Sequence, residues 1–107
     1  MQTDSDLVRR AQQGESAAIG HLYDHHYQRI FRFIWSRVQD QHLAEDLTAE
    51  VFAHMVHALP TYRDMSLPFQ AWLYRIARNL LVDYHRRNQI LTAVPLEEVS
   101  QMAYISD

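Results

Sequence analysis

Arginine residues concentrate in one part of this 107-residue chain. The chain has ten arginines and no lysine. Residues 60–88 contain five of these arginines and two acidic residues, which gives this segment a net charge of +3. Helical spacing places Arg75, Arg78 and Arg86 on one side of a helix, with Asn79 at the border. Arginine binds phosphate through paired hydrogen bonds, and an amide can reach a base edge. The pattern suits a nucleic-acid strand, although charge alone favours an ordinary solvated face.

The segment that precedes this helix adds aromatic rings to the arginines. Tyr62 and Arg63 lie in a predicted loop over residues 60–68, which has a proline at each end, and Phe69 follows it directly. Aromatic rings beside arginines are typical of surfaces that stack on unpaired bases, more than of surfaces that read a closed duplex. If the segment binds nucleic acid, we expect a single strand.

A second group of charged residues lies earlier in the chain and is acidic. Asp46 and Glu50 are four residues apart, on a helix face that also carries the small residues Ala49 and Ala53. Like charges at this spacing mildly destabilise an isolated helix, and small neighbours leave a flat surface. The pattern suits docking onto a basic partner. Spacing alone favours the plainer interpretation, an acidic surface near a helix N-terminus.

Seven histidines raise the question of a metal site. His21 and His25 are four residues apart, and His54 and His57 are three apart with Glu50 nearby, spacings that can hold zinc. Neither pair has a third ligand at a recognised spacing, so no metal or other cofactor is expected. A metal-binding helical bundle stays as the weakest alternative. The chain also has no glycine-rich phosphate loop and no recognisable nucleophile, so we expect no enzyme.

Helices must position these residues, because the chain has only two glycines and three prolines and is therefore poor in turn residues. Apolar spacing predicts helices over residues 5–13, 16–38, 41–59 and 69–88. The core face of the second comprises Ile19, Leu22, Tyr23, Tyr27, Ile30, Phe31, Ile34, Trp35 and Val38. The core face of the fourth comprises Phe69, Trp72, Leu73, Ile76, Ala77, Leu80 and Tyr84. We predict an all-α fold, a small bundle of four helices, with no membrane insertion.

Two strings of the sequence resemble the second conserved region of sigma-70 family factors, and specifically the extracytoplasmic-function (ECF) group. They are HLAEDLTAEVFAHMVHAL and PFQAWLYRIARNLLVDYHRR, and the likeness begins earlier, with DLVRRAQQGESAAIGHLYDHHYQRIFRFI. The resemblance covers about residues 4–88. It implies a cytoplasmic transcription initiation factor domain that binds core RNA polymerase and recognises and melts the promoter −10 element.

The resemblance also assigns roles to residues. Docking on the clamp coiled coil of the large polymerase subunit would fall on Glu45, Asp46, Leu47 and Glu50. Capture of the melted −10 strand would fall on Tyr62, Arg63, Phe69, Arg75, Arg78, Asn79, Asp83, Arg86 and Arg87. Trp72 matches a family tryptophan and is interpreted as mainly a core residue.

Some positions depart from the family pattern. Ala49 stands where the family often has glutamine, and Gly20 stands where it usually has a bulky aromatic, which predicts looser packing of the second helix. The 107 residues contain no match to the family's helix-turn-helix domain that reads the −35 element, so we expect residues 1–88 to form the region 2 domain and residues 89–107 to begin an interdomain linker, with a short helix there as the alternative. The alternative function is a protein-interaction domain that an anti-sigma factor sequesters, with DNA binding lost or secondary.

Overall fold

The computed structural model describes residues 3–63 and 67–88. Four helices run through them: α1 (Asp4–Gln12), α2 (Ser16–Val38), α3 (Gln41–Ala58) and α4 (Phe69–Arg87), with a 3-10 turn, Leu59–Thr61, after α3. The predicted all-α bundle is confirmed, and each predicted helix end lies within one residue of the observed one. The predicted linker, residues 89–107, lies outside the described residues.

Local side-chain chemistry explains where the helices begin and end. The Thr3 hydroxyl accepts a hydrogen bond from the Asp6 amide (3.1 Å) and caps α1, and the Asp40 carboxylate accepts one from the Leu43 amide (3.0 Å) and caps α3. Helix α2 ends at Val38, and the next residue, Gln39, has a left-handed backbone (φ 53°) that closes the last turn.

Removing the α3 cap gives a direct test of this local account. Asp40→Ala is expected to lower the free energy of unfolding by about 1 kcal/mol, because the Leu43 amide loses its acceptor. Asp40→Ser is the control, since serine caps almost as well. Urea denaturation of the three proteins measures the difference, and an equal loss in Asp40→Ala and Asp40→Ser would contradict the capping role.

The core face of α2 differs from the prediction. The buried residues are spaced by four and comprise Ala18, Leu22, His26, Ile30 and Ile34. Tyr23 and Trp35, which were predicted to be buried, are 41% and 39% exposed. Hydrophobicity alone counts aromatic rings as core. It also misses His26, whose Nε2 lies 3.0 Å from an Asp4 carboxylate oxygen of α1, a pairing that lets a polar ring enter the core.

The core face of α4 is wider than predicted. Tyr74 and Leu81 are buried although they were not predicted to be, whereas Leu80 and Tyr84 are only half-buried. Helix α4 packs against both α2 and α3, and the Tyr74 ring meets Phe33 of α2 edge-on, with centroids 5.1 Å apart. Because two helices cover α4, one narrow stripe does not describe its buried side.

Gly20 was expected to loosen the packing of α2, but it does not. A Cβ placed there would meet no atom within 4 Å, so the glycine faces open space and leaves no gap in the core. None of the helices in the described residues is long and apolar enough to cross a membrane.

Candidate polymerase and nucleic-acid interfaces

Helix α3 presents an acidic face, which we define by Glu45, Asp46, Ala49, Glu50 and Ala53. All five residues are exposed. Within the part of the chain that the structure describes, Asp46 and Glu50 have no hydrogen bond or ion pair, so their charges are available to a partner. Ala49 lies between Asp46 and Glu50 and Ala53 lies one turn beyond, so no large side chain of this face covers the carboxylates.

Glu45 differs from the other two acids because it already has neighbours. It accepts a hydrogen bond from the Gln41 amide (3.4 Å) and lies 3.8 Å from a ring nitrogen of His42. Its charge also reaches Tyr27 of α2. Burial raises the pKa of the Tyr27 hydroxyl above 10.0, and Tyr23 and Glu45 raise that pKa further. Glu45 therefore lies at the edge of the acidic face that is nearest Tyr27 of α2.

Leu47 lies under the acidic face and not on it. Its side chain is 2% exposed and belongs to the core that α3 shares with α2 and α4. Its predicted polymerase contact stays a prediction, and the structure gives it the role of holding α3 in place. The predicted acidic face thus consists of surface carboxylates above a buried leucine.

Helix α4 presents an arginine face, which we define by Arg75, Arg78, Asn79 and Arg86. Arg75, Asn79 and Arg86 are exposed, and Arg78 is half-buried. An Arg78 guanidinium nitrogen donates to the Asn79 side-chain oxygen (3.3 Å). The side-chain NH2 group of Asn79 donates to no described residue, so it can donate to a bound partner. No ion pair to any of these arginines occurs within residues 3–63 and 67–88, so no carboxylate there neutralises their charges.

Two further predicted residues of α4 lie off this face. Asp83 and Arg87 are exposed, but their helical positions place them nearer the core side of α4 than Arg75. Arg87 is the last residue of the helix, where the bundle no longer covers it. Their DNA contacts stay predictions, and any such contact would come from a different side of the helix.

An open depression of about 280 Å³ lies beside the arginine face. The end of α3, the turn after it and the start of α4 enclose it together. Its lining combines two arginines, two aromatic rings and three small or aliphatic residues, namely Ala58, Thr61, Tyr62, Arg63, Leu67, Trp72 and Arg75. A cavity lined by both aromatic rings and arginines can hold a planar, partly polar group next to a phosphate.

The aromatic residues that were predicted to bind DNA are mostly buried. Tyr62 is 5% exposed and Phe69 is 4% exposed. Their rings meet edge-on at 5.7 Å, and the Tyr62 ring lies 4.7 Å from that of Trp72. Tyr62 lines the depression, whereas Phe69 does not and packs edge-on against His26. Stacking on either ring stays a prediction, and the structure gives both rings a supporting position.

The backbone at Tyr62 is held from both sides. Its carbonyl accepts hydrogen bonds from the Gln12 amide of α1 (2.9 Å) and from Arg63 (2.9 Å), and its hydroxyl donates to the Leu67 carbonyl (2.6 Å). Gln12 also donates to the Leu59 carbonyl (3.0 Å). The wall of the depression is thus tied to α1, which lies far away in sequence.

The sequence interpretation missed two contributors to this site. Trp72 was read as core, yet it is half-buried and lines the depression; its position at the edge of the apolar stripe was the available signal. Gln12 gave no signal, because nothing in the sequence separates it from the neighbouring Gln13. Among the described residues, no three histidines or acids lie together as a metal would require.

Residues 22–90 match the family described as Sigma-70 region 2. The chain belongs to this family, within its ECF group.

Curated relatives give the same result. The chain is 38% identical over 94 residues to the ECF RNA polymerase sigma factor BldN of Streptomyces coelicolor, which covers 88% of this chain and 36% of the relative. It is 34% identical over 103 residues to ShbA of Streptomyces griseus, covering 89% and 54%. It is 32% identical over 71 residues to SigM of Bacillus subtilis, covering 66% and 42%. The chain therefore spans about half, or less, of these relatives. No solved structure matches it significantly.

Proposed function

We propose that this chain is the part of a sigma factor that docks on core RNA polymerase and holds the melted −10 strand of a promoter. The acidic face of α3 binds the clamp coiled coil of the large subunit. The depression takes an unpaired base, and the arginine face of α4 follows the phosphates that continue from it. A protein that acts with polymerase in this way works in the cytoplasm.

The observation that carries this proposal is the position of the depression next to the arginine face. Arg75 belongs to both, so a base in the depression would have its own phosphate within reach of a guanidinium group. Single strands are held by aromatic stacking combined with a positively charged track. Closed duplex does not fit, because a paired base cannot enter a depression of this kind without leaving its stack.

The net charge of the chain supports a division of labour between the two faces. The whole chain carries −3, although residues 60–88 carry +3. A free-standing DNA-binding module relies on phosphate contacts for most of its affinity. A chain that is acidic overall gains affinity for the promoter when a partner holds it, which is what docking through the acidic face provides.

Binding to single-stranded DNA with and without core polymerase tests the proposal. The probe is a pool of labelled oligonucleotides with a randomised −10 window. We expect no retained sequence with the chain alone, and enrichment of one −10 motif with the chain and polymerase together. Two results would contradict the proposed function. One is enrichment of the same motif by polymerase alone, and the other is no enrichment when the chain and polymerase are present together. Binding to polymerase without any DNA selection would favour the interaction-domain alternative, a chain held by an anti-sigma factor.

A further inference from the structure

We propose that Gln12 of α1 is a positioning residue for promoter melting, because it holds the wall of the base-binding depression in place. This inference rests on the proposed function. Gln12 touches neither polymerase nor DNA in this scheme. It acts through the Leu59 and Tyr62 carbonyls, which bracket the turn between α3 and the depression.

The geometry of the Gln12 amide is specific. Its single side-chain nitrogen donates to both carbonyls, at 3.0 Å to Leu59 and 2.9 Å to Tyr62, across 47 and 50 residues of sequence. An amide nitrogen has two protons, so both bonds can form at once. The Leu59 carbonyl accepts also from the Tyr62 amide (3.0 Å), which closes the turn that Gln12 spans.

Helix α1 is itself firmly anchored, so Gln12 transmits a fixed position. Leu7, Val8 and Ala11 are buried against the rest of the bundle. At the other end of the helix, Asp4 pairs with the buried His26 of α2 (3.0 Å). Gln12 is the last residue of α1. Because α1 is anchored, the two hydrogen bonds that the Gln12 side chain donates fix the position of the turn relative to the core.

Tyr62 links the hydrogen bonds of Gln12 to the lining of the depression. Its carbonyl is held by Gln12, its hydroxyl holds the Leu67 carbonyl, and its ring packs on Trp72. Tyr62, Leu67 and Trp72 all line the depression. Without Gln12, the turn can shift away from α1, and the lining residues shift with it. Because base capture needs the cavity already formed, melting suffers while polymerase docking on α3 does not.

The test compares Gln12→Glu with Gln13→Glu in the full-length sigma factor. Glutamate keeps the shape of glutamine but offers only acceptor oxygens to the two carbonyls, and Gln13 is an exposed neighbour with no side-chain hydrogen bond among the described residues. At saturating polymerase, 2-aminopurine fluorescence in the −10 strand should report melting reduced about tenfold or more by Gln12→Glu, because both hydrogen bonds of Gln12 are lost and each has a modest net strength. Gln13→Glu should melt the promoter as well as the wild type does. Both variants should bind polymerase with wild-type affinity.

Gln12→Lys tests whether donation to the two carbonyls carries the effect. Lysine retains a donor group that can reach both carbonyls, so melting should recover to within about threefold of the wild type. If Gln12→Glu fails to fold, Gln12→Ala replaces it with the same expectations. Wild-type melting by Gln12→Glu or Gln12→Ala, or equal losses of melting and polymerase affinity, would overturn the inference. Loss of melting in arginine-face variants but not in Gln12 variants would leave the proposed function standing without it.

Discussion

Reversing both unpaired charges of the acidic face, Asp46→Arg with Glu50→Arg, is expected to weaken binding to the polymerase clamp coiled coil by about 100-fold. Both side chains are exposed and have no partner among the described residues, so the substitutions disturb no internal contact. They replace attraction to a basic partner by repulsion, and like charges facing each other across an interface are strongly unfavourable. Titration of a labelled coiled coil with each protein measures the affinity.

The control for this prediction moves the same kind of charge to another surface. Asp24→Arg with Gln28→Arg also places two arginines four residues apart on an exposed helix side, in α2. This variant should bind the coiled coil within about threefold of the wild type, since charges outside an interface contribute little. Raising the salt concentration should narrow the gap between wild type and the α3 variant. Equal affinity of the wild type and the α3 variant would remove the acidic face from the docking site.

The second large effect is expected at the arginine face. Arg75→Ala with Arg78→Ala should reduce open-complex formation by about tenfold or more, because each removed phosphate contact weakens single-strand binding. The slope of log affinity against log salt should become shallower by about 0.7 per lost contact, so by about 1.4 for the pair. Permanganate footprinting of unpaired thymines measures melting, and repeating it over a salt series gives the slope.

Arginine variants elsewhere provide the matched control. Arg9→Ala with Arg32→Ala removes the same net charge from exposed positions of α1 and α2, at the expense of one surface ion pair between Arg9 and Asp6. We expect unchanged melting and an unchanged salt slope. If the control and the α4 variant lowered melting equally, general charge and not a defined track would explain the effect.

Much of the architecture could be predicted from the sequence, because helix signals are local. Asp40, Pro60 and Pro68 mark helix ends through cap and backbone chemistry that needs no tertiary information. The side of each helix that is buried depends on its neighbours. Tyr23 and Trp35 were therefore misassigned, and His26 was missed, since its burial requires an Asp4 carboxylate from another helix.

The two candidate faces were also visible in the sequence, but the depression was not. Arg75 and Arg78 share a helix side through spacing alone, as do Asp46 and Glu50. The depression exists because the Tyr62 ring turns inward onto Trp72 and the Gln12 amide crosses from α1. The Gln12 contact joins segments 50 residues apart, and the Tyr62–Trp72 contact joins residues on either side of the start of α4. Sequence patterns located the charges, and packing supplies the depression beside the arginine face.

The central claim is that docking and melting belong to separate faces, and melting measured against polymerase concentration tests it most directly. The α3 variant, Asp46→Arg with Glu50→Arg, should melt the promoter fully once enough polymerase is added, at a midpoint shifted about 100-fold. The α4 variant, Arg75→Ala with Arg78→Ala, should reach its plateau at the wild-type midpoint, but at a level about tenfold lower. A reduced plateau for the α3 variant together with a shifted midpoint for the α4 variant would contradict the separation of the two faces.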